Sequence, residues 1–301
     1  MSAEPPPLHL AIGMFDGVHL GHRAVIAAAR AGAQRGGGTV AVLTFWPHPS
    51  ALFRPEAPTR LIQDGPTKAR VLRTLGVETM ITQPFTAQFA AIAAEDFLPG
   101  LKRQLPALAA VYVGENFRFG CGRRGDVQML AESASAAGVG FWAAPRVTVD
   151  GEPVSSTRIR ALLADGEIDR ANALLGYRYF ASGPVVPGKR LGRSIGFPTL
   201  NLAWSPPLRP RFGVYAVSVR GDGTGDALPA VANYGLRPTV EQATEPRLEV
   251  HVLGACPFGE GEELVAEWRH FIRPEMKFAG LDELRAQIAR DRDVAAKYFA
   301  G

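Results

Sequence analysis

The sequence pattern changes near residue 176, and this change constrains the fold more than any other feature. Before it, short apolar runs alternate with stretches rich in helix-forming residues. The apolar runs are Leu8–Ile12, Thr39–Phe45, Thr79–Ile81 and Ala109–Val113, and the helical stretches are Arg23–Arg35, Gly65–Leu75, Phe89–Gln104 and Val127–Ala137. Strands that alternate with helices form parallel sheets covered on both faces, so we predict an α/β domain over about the first 150 residues.

After Gly176 the chain consists of short β-rich runs separated by glycine and proline. These runs are Phe180–Val186, Gly213–Val219, Ala230–Asn233 and Arg247–Leu253. Many short strands with turn residues between them indicate a small antiparallel barrel. An amphipathic helix is predicted over Leu281–Phe299, and two short helices over Ser155–Leu175 join the halves. The predicted domains are therefore residues 1–175 and 176–301.

The composition excludes several classes of protein. With 47% hydrophobic and 21% charged residues, the 301-residue chain can form two cored domains and does not resemble a disordered protein. No apolar run reaches the roughly 18 to 20 residues that cross a bilayer. The first residues lack a basic segment followed by an apolar one, so we expect a cytoplasmic protein with no membrane partner.

The charges and the cysteines exclude two further classes. The net charge is +4, but Lys and Arg are scattered, so we expect no nucleic-acid partner. The two cysteines, Cys121 and Cys256, lie far apart and lack the Cys and His spacing of a zinc site. We expect both to be free thiols.

The stretch Gly13–His22 follows the first predicted strand and opens the first predicted helix. A glycine-rich loop at a helix start presents backbone N–H groups and the positive end of the helix dipole, which together favour phosphate. We expect the backbone at Gly13, Phe15 and Gly17 to bind such a group.

His19 and His22 are three residues apart, so they share one face of the first helical turn. Two imidazoles there can donate to a phosphoryl oxygen as charge builds up in a transition state. Taken alone, the same spacing also fits a metal pair or a histidine that caps the helix.

Two further clusters suit phosphate. His48 follows the second predicted strand and therefore reaches the same carboxyl edge of the sheet. The hydroxyls of Ser156 and Thr157 and the guanidinium groups of Arg158 and Arg160 surround a helix start and suit a polyphosphate. A capped, solvated helix would contain the same residues.

Together these motifs resemble a known family. The strings IGMFDGVHLGH, TFWPHP, VGENFRFGCGRRGDV and VSSTRIR, in this order, are similar to the adenylyltransferase half of prokaryotic bifunctional riboflavin kinase/FAD synthetases. The strings GKRLGRSIGFPTLNL, FGVYAV, ANYGLRPT, RLEVHVL and IRPEMKF resemble the riboflavin kinase half. The resemblance covers essentially the whole chain.

For the first domain, the resemblance implies a Rossmann-like nucleotidylyltransferase domain that transfers AMP from ATP to FMN and releases pyrophosphate. His19 and His22 match the catalytic pair that steadies the α-phosphate, and His48 matches a position near the phosphates. Arg158 and Arg160 match residues that bind the β- and γ-phosphates.

Asn116 and Asp126 match positions that line the nucleotide and flavin pocket of the family. Phe119 is a further candidate for flavin binding, since aromatic faces suit flat ligands. Packing in the core is the simpler explanation for Phe119 taken alone.

For the second domain, the resemblance implies a six-stranded antiparallel barrel that phosphorylates the ribityl 5′-hydroxyl of riboflavin with ATP and Mg²⁺. Thr199 and Asn201 match the residues that hold the magnesium and its phosphates, and Glu249 matches the general base. The loop over the nucleotide is matched by Gly188, Lys189, Gly192 and Gly196.

Alternation along a strand places Glu249 and His251 on one face and Val250 on the other. Without the family resemblance, a solvated charge on a barrel strand would be the favoured explanation of Glu249; the resemblance reverses that preference.

The chain departs from the family pattern at four places. Met14 stands where the family usually has Asn, Trp46 precedes Pro-His-Pro where a polar residue is common, and Leu200 replaces a small Ala. The segment Gly254–Glu263 also differs, and either contacts flavin or only joins two strands.

Three hypotheses follow. The first is a two-step enzyme that converts riboflavin to FMN and FMN to FAD. The second is an FAD synthetase with a weakened kinase half, and the third is a flavin- or nucleotide-binding regulator without turnover. We expect riboflavin, FMN and ATP as small-molecule partners, Mg²⁺ as the cofactor, and leave weak self-association open.

Overall fold

The computed structural model describes residues 5–188, 192, 195–222, 225–236 and 246–301. The chain divides into two compact units, Met1–Ser156 and Thr157–Gly301. Within the described ranges, no helix is both long enough and apolar enough to span a membrane. The predicted pairing of a parallel α/β domain with an antiparallel barrel is confirmed.

The first unit contains a five-stranded parallel sheet. Its strands are β1 (Leu8–Ile12), β2 (Thr39–Trp46), β3 (Thr79–Pro84), β4 (Leu108–Gly114) and β5 (Gly140–Ala144), in the spatial order β3-β2-β1-β4-β5. After β3 the chain returns to the other side of β1 as β4. The carboxyl ends of β1 and β4 therefore form the switch point at which open parallel sheets bind ligands.

Helices connect these strands. They are α1 (Leu20–Gly36), α2 (Pro49–Phe53), α3 (Gly65–Thr74), α4 (Ala87–Ala90), α5 (Ala94–Gln104) and α6 (Val127–Ala136). A 3₁₀ turn at Cys121–Arg123 precedes α6, and a small hairpin, β6 (Thr148–Val149) and β7 (Glu152–Pro153), follows β5.

The prediction of one continuous helix over Phe89–Gln104 is wrong, because the chain breaks between α4 and α5. The Cys121 N–H donates to the Ile92 carbonyl at 2.7 Å, which satisfies a backbone acceptor at the break. Gly120 also lies so close to the Ala94 backbone that a side chain there would overlap it. A loop distant in sequence thus contacts the chain at the break, and a local sequence pattern does not record such a contact.

One face of α1 packs over a buried polar pair. His9 Nδ1 and the Tyr112 hydroxyl are 2.9 Å apart, and both side chains are more than nine-tenths buried. Gly32 lies directly over this pair, where an added Cβ would overlap the Tyr112 hydroxyl. Glycine is therefore required at this helical position, although it weakens a helix relative to alanine.

We expect Gly32→Ala to lower the free energy of unfolding by about 1–3 kcal/mol, because overpacking forces neighbouring groups to shift. Gly36→Ala, at the end of the same helix, is the matched control, since its added Cβ would lie 3.9 Å from His9 Nε2, an ordinary contact. Urea unfolding followed by circular dichroism measures both variants. Equal stability of the two variants would contradict the close approach.

The second unit is a closed six-stranded antiparallel barrel preceded by two helices. The helices are α7 (Ser156–Asp165) and α8 (Ile168–Leu175), and the strands are β8 (Phe180–Val186), β9 (Leu200–Leu202), β10 (Gly213–Gly221), β11 (Leu228–Gly235), β12 (Arg247–Val252) and β13 (Glu263–Pro274). The strands close in the order β10-β11-β12-β9-β8-β13.

An aromatic cluster fills the barrel. Trp268 is fully buried, and its ring lies 4.3 Å from that of Tyr215 and 5.7 Å from that of Tyr234, between ring centroids. Asn172 of α8 donates to the Trp268 carbonyl at 2.9 Å and accepts from the Tyr179 N–H at 2.7 Å. This buried amide joins α8 to the barrel.

The sequence did not identify β9 or β13 as strands. β9 has only three residues, and β13 mixes charged with apolar side chains and contains two register shifts against β10. The closing helix, α9 (Leu281–Ala300), is confirmed, and the Arg273 guanidinium joins β13 to it by donating to both Asp291 carboxylate oxygens at 2.8 and 2.7 Å.

Candidate functional site

A cavity of about 760 Å³ lies at the carboxyl edge of the parallel sheet. Its polar end includes His19, His22 and His48, so the three histidines predicted at this edge come together. Elsewhere the wall contains many phenylalanines, namely Phe45, Phe53, Phe85, Phe89, Phe97, Phe117 and Phe119. The cavity thus combines a phosphate-suited end with a surface suited to a flat ring.

The two histidines of the first helix stack against each other. Their ring centroids are 3.7 Å apart with 19° between the planes, and the His22 N–H donates to His19 Nδ1 at 3.4 Å. His19 is therefore the N-cap of α1 as well as a wall of the cavity. The alternative that a histidine caps the helix is therefore correct for His19. Capping through Nδ1 leaves the other ring nitrogen able to contact a phosphate.

The surroundings of His22 favour its neutral imidazole form. Burial lowers its pKa well below the ordinary value, and the nearby His19 and Lys68 lower it further. Its Nδ1 is buried and has no hydrogen-bond partner in the part of the chain that the structure describes. No group of three or more His, Cys, Asp or Glu side chains suited to a metal occurs in that part either.

The loop before α1 is held in a strained shape. Phe15 and Val18 have positive φ angles of 49° and 41°, which side chains rarely adopt, and Gly17 has a φ of 80°. Phe15 and Val18 are almost fully buried, so packing maintains the strain. Strained backbone of this kind clusters at functional sites, and Gly13 and Phe15 line the cavity. Phosphate binding by the backbone at Gly13, Phe15 and Gly17 stays a prediction.

Groups from other segments of the chain bind this loop. The Asp16 carboxylate accepts from the Ile62 N–H at 2.8 Å, and the Asp16 carbonyl accepts from the Ser156 hydroxyl at 2.8 Å. The Met14 carbonyl accepts from Lys68 Nζ and from the Thr44 hydroxyl, each at 2.9 Å. Since position 14 contributes its carbonyl, the loop is held whether Met or Asn stands there.

Sequence reasoning missed Lys68, whose ammonium group is buried behind the histidine pair. Burial lowers its pKa, while the Asp16 carboxylate raises it. The sequence spacing could have indicated a buried lysine. Lys68, Val71 and Leu72 are the buried residues of α3, and they have the spacing of one helical face. A lysine on such a face has to find polar partners in the interior.

His48 caps α2 at the mouth of the same cavity. Its Nδ1 accepts from the Ser50 N–H at 3.1 Å, and it lies 2.8 Å from the Ser50 hydroxyl. Trp46, which replaces a usual polar residue, is 58% exposed.

The predicted flavin residues occupy two different settings. Asn116 and Phe119 line the cavity. Asp126 caps α6 by accepting from the Met129 N–H at 3.0 Å and forms an ion pair of 3.1 Å with Arg118, which lines the cavity. The backbone hydrogen bond from Met129, followed by Arg118, lowers the pKa of Asp126.

The residues predicted to bind the triphosphate lie at the start of α7. They are Thr157, Arg158 and Arg160. The Arg160 guanidinium donates to the Thr157 hydroxyl at 3.4 Å, and Arg158 and Arg160 are both half-buried. Because these residues belong to the second compact unit, their contact with phosphates bound in the first unit stays a prediction.

A second cluster lies on the barrel. Glu249 of β12 is paired in register with Asn201 of β9, so their side chains stand side by side. Leu248 and Val250 are fully buried, whereas Glu249 and His251 are half-buried, which confirms the predicted alternation.

The donor set around Asn201 suits a hard cation. Asn201 Oδ1 is buried and lacks a hydrogen-bond partner among the described residues, and Thr199 adds a hydroxyl two positions away. Mg²⁺ binds oxygen ligands of this kind. Leu200 pairs in register with the buried Val250, so the Leu200 side chain faces the barrel interior. The presence of Leu where the family usually has Ala therefore leaves the face that carries Asn201 unchanged.

The structure describes only part of the loop from Gly188 to Gly196, which is predicted to lie over the nucleotide. Gly188 lies against the Asn201 amide, where an added Cβ would overlap it, so a side chain there would displace the candidate ligand. The Gly192 carbonyl accepts from the Phe197 N–H at 2.8 Å, and Gly196 has a φ of 89°. Lys189 lies outside the described residues.

The divergent segment from 254 to 263 joins β12 to β13. The Gly261 N–H donates to the Val185 carbonyl and the Val185 N–H donates to the Glu262 carbonyl, at 2.8 and 2.9 Å. The Glu262 carboxylate accepts from the Gly259 N–H at 3.0 Å. The segment is therefore anchored to the end of β8.

Comparison with known proteins gives one consistent result. Residues 1–158 match the FAD synthetase family and residues 175–299 match the riboflavin kinase family. The bifunctional riboflavin kinase/FMN adenylyltransferase of Escherichia coli K12 is 40% identical over 291 residues, which are 96% of this chain and 92% of that protein. The protein of the same name from Bacillus subtilis is 35% identical over 295 residues, 97% of this chain and 92% of that protein.

A similar solved structure covers both units. A crystal structure described as a macrolide-efflux protein from Streptococcus pneumoniae is 28% identical, with a TM-score of 0.86, and the match covers 98% of this chain and 96% of that one.

Proposed function

The chain belongs to the bifunctional riboflavin kinase/FMN adenylyltransferase family, and on this basis we propose how its two halves divide the work. The protein phosphorylates riboflavin to FMN with ATP and transfers AMP from ATP to FMN, which gives FAD and pyrophosphate. We assign adenylyl transfer to residues 1–175 and phosphorylation to residues 176–301.

In adenylyl transfer, the protein positions two reactants and stabilises charge. A phosphate oxygen of FMN attacks the α-phosphorus of ATP, the bond to the β-phosphate oxygen breaks, and pyrophosphate leaves. His19 and His22 donate ring N–H groups to the α-phosphoryl oxygens as charge builds up there. With its pKa lowered, the His22 imidazole has one N–H to donate, which is enough for one hydrogen bond to an α-phosphoryl oxygen.

In phosphorylation, Glu249 accepts the proton of the riboflavin 5′-hydroxyl while the hydroxyl oxygen attacks the γ-phosphorus and ADP leaves. Thr199 and Asn201 would hold Mg²⁺ through their side-chain oxygens. When bound, the ion neutralises negative charge on the phosphates. The buried, unpartnered Asn201 Oδ1 beside Glu249 supports this arrangement, as judged over the described residues.

The observation that carries the proposal is that each compact unit has its own cluster of phosphate-suited side chains. The first has the stacked His19 and His22 in a cavity, and the second has Glu249 beside Asn201. A regulator that only binds flavin has no need for a carboxylate beside oxygen donors for a cation.

Chromatography of the flavins formed from riboflavin and MgATP tests the function. We expect FMN and then FAD to appear, and supplied FMN to give FAD directly. Inert riboflavin with conversion of supplied FMN would instead support a weakened kinase half. No conversion of either flavin would support the regulator.

A further inference from the structure

The barrel site contains a contact that the proposed reaction does not yet use. His251 Nδ1 lies 2.8 Å from the carbonyl oxygen of Pro198. A carbonyl only accepts, so Nδ1 carries the proton and donates it. The ring of Phe197 packs edge-on against the imidazole, with 5.6 Å between centroids and 77° between planes. His251 is thus bound to the segment that leads into the candidate cation ligands.

The backbone pairing of β9 with β12 ends before this contact. β12 and β9 pair only over three residues, from Leu248 with Leu202 to Val250 with Leu200. The next position along β12 is His251, and the chain before Leu200 contains Pro198, which has no N–H to donate to a ladder. The imidazole supplies a donor beyond the end of this pairing.

We propose that His251 is a positioning residue of the kinase half, which fixes the segment from Pro198 to Asn201 against the strand that bears Glu249. This inference rests on the proposed function of the barrel site. Thr199 then lies between two fixed points, the β9–β12 pairing on one side and the Pro198 hydrogen bond on the other. Glu249 and His251 share one face of β12, so one strand carries both the base and the restraint on the cation ligands.

Two substitutions separate the hydrogen bond from the bulk of the ring. His251→Leu removes the donor, and His251→Asn retains a side-chain N–H at about the same distance from the backbone. We expect His251→Leu to lower kcat for FMN formation by about 10- to 100-fold and to raise KM for ATP, because a displacement of about 1 Å can cost as much as 10²-fold. His251→Asn should recover most of the loss.

Three readouts distinguish positioning from general stability. Conversion of supplied FMN to FAD should stay unchanged in both variants, and so should the melting temperature of the full chain. His270→Leu, on barrel strand β13, is the matched control, because His270 Nδ1 contacts Asp169 at 2.8 Å instead. It should keep FMN formation within about twofold of wild type, as expected for a change away from the site.

Wild-type kinetics in His251→Leu, or equal losses in His251→Leu and His251→Asn, would overturn the proposal. ¹⁵N NMR of the wild-type histidines gives a test that needs no turnover: a proton on Nδ1 of His251 supports it, and a proton on Nε2 alone overturns it. A wild-type protein that forms no FMN but shows the Nδ1 proton would contradict the kinase assignment and not this contact.

Discussion

Glu249→Gln will lower the formation of FMN from riboflavin by about 10²- to 10⁴-fold, the range that general-base catalysis contributes. Glutamine has the same shape as glutamate but cannot accept the proton of the riboflavin hydroxyl, so the loss should appear mainly in kcat. The same variant should convert supplied FMN to FAD at the wild-type rate, because the histidine cluster lies in the other compact unit. Separate assays of the two half-reactions measure both effects.

Glu263→Gln is the matched control for this variant. Glu263 is an exposed carboxylate at the start of β13, and its loss removes the same charge from the same barrel. FMN formation by the Glu263→Gln variant should equal that of the wild type. If Glu249→Gln lowered both half-reactions equally, or if Glu263→Gln lowered FMN formation as strongly, the role of Glu249 as the base would be refuted.

The larger architecture could be predicted from the sequence because its signals are local. Each long apolar run became a strand, and the change of pattern near Gly176 separated a parallel sheet from an antiparallel barrel. The break before Ala94 was not predicted, and the contacts made there by the loop near Gly120 join residues distant in sequence. The short strand β9 was missed for a similar reason, since its three residues are recognised as a strand by their pairing with β12, which is distant in sequence.

The candidate sites were predictable to a different extent. Motif reasoning placed the three cavity histidines and the pair of Asn201 and Glu249 in their observed clusters. It missed the residues that hold those groups, such as Lys68 and Thr44 behind the histidine loop. Supporting residues act through backbone carbonyls, and a sequence does not record which carbonyl a side chain reaches.

His22→Ala will have the converse effect to Glu249→Gln, with FAD formation from FMN lowered by about 10²- to 10³-fold and FMN formation unchanged. Removal of one donor to a developing oxyanion costs about that much in other enzymes. His22 is half-buried and lines the cavity with His19 stacked on it, so its loss also frees the His19 ring. The expected defect is therefore larger in kcat than in KM, and steady-state kinetics with supplied FMN and MgATP measures it.

Because the His22 ring packs against His19 and Phe15, a stability loss has to be separated from a catalytic one. His9→Ala provides the comparison, since His9 is a buried histidine of the first unit, but its partner is Tyr112 below α1 and it does not line the cavity. Both variants should melt at a lower temperature than wild type, since each leaves a hole in the core. Only His22→Ala should lose turnover when both are assayed well below their melting temperatures. If the two variants lost FAD formation in proportion to their loss of stability, the histidine pair would be structural and the phosphate-binding role of the cavity would have to be abandoned.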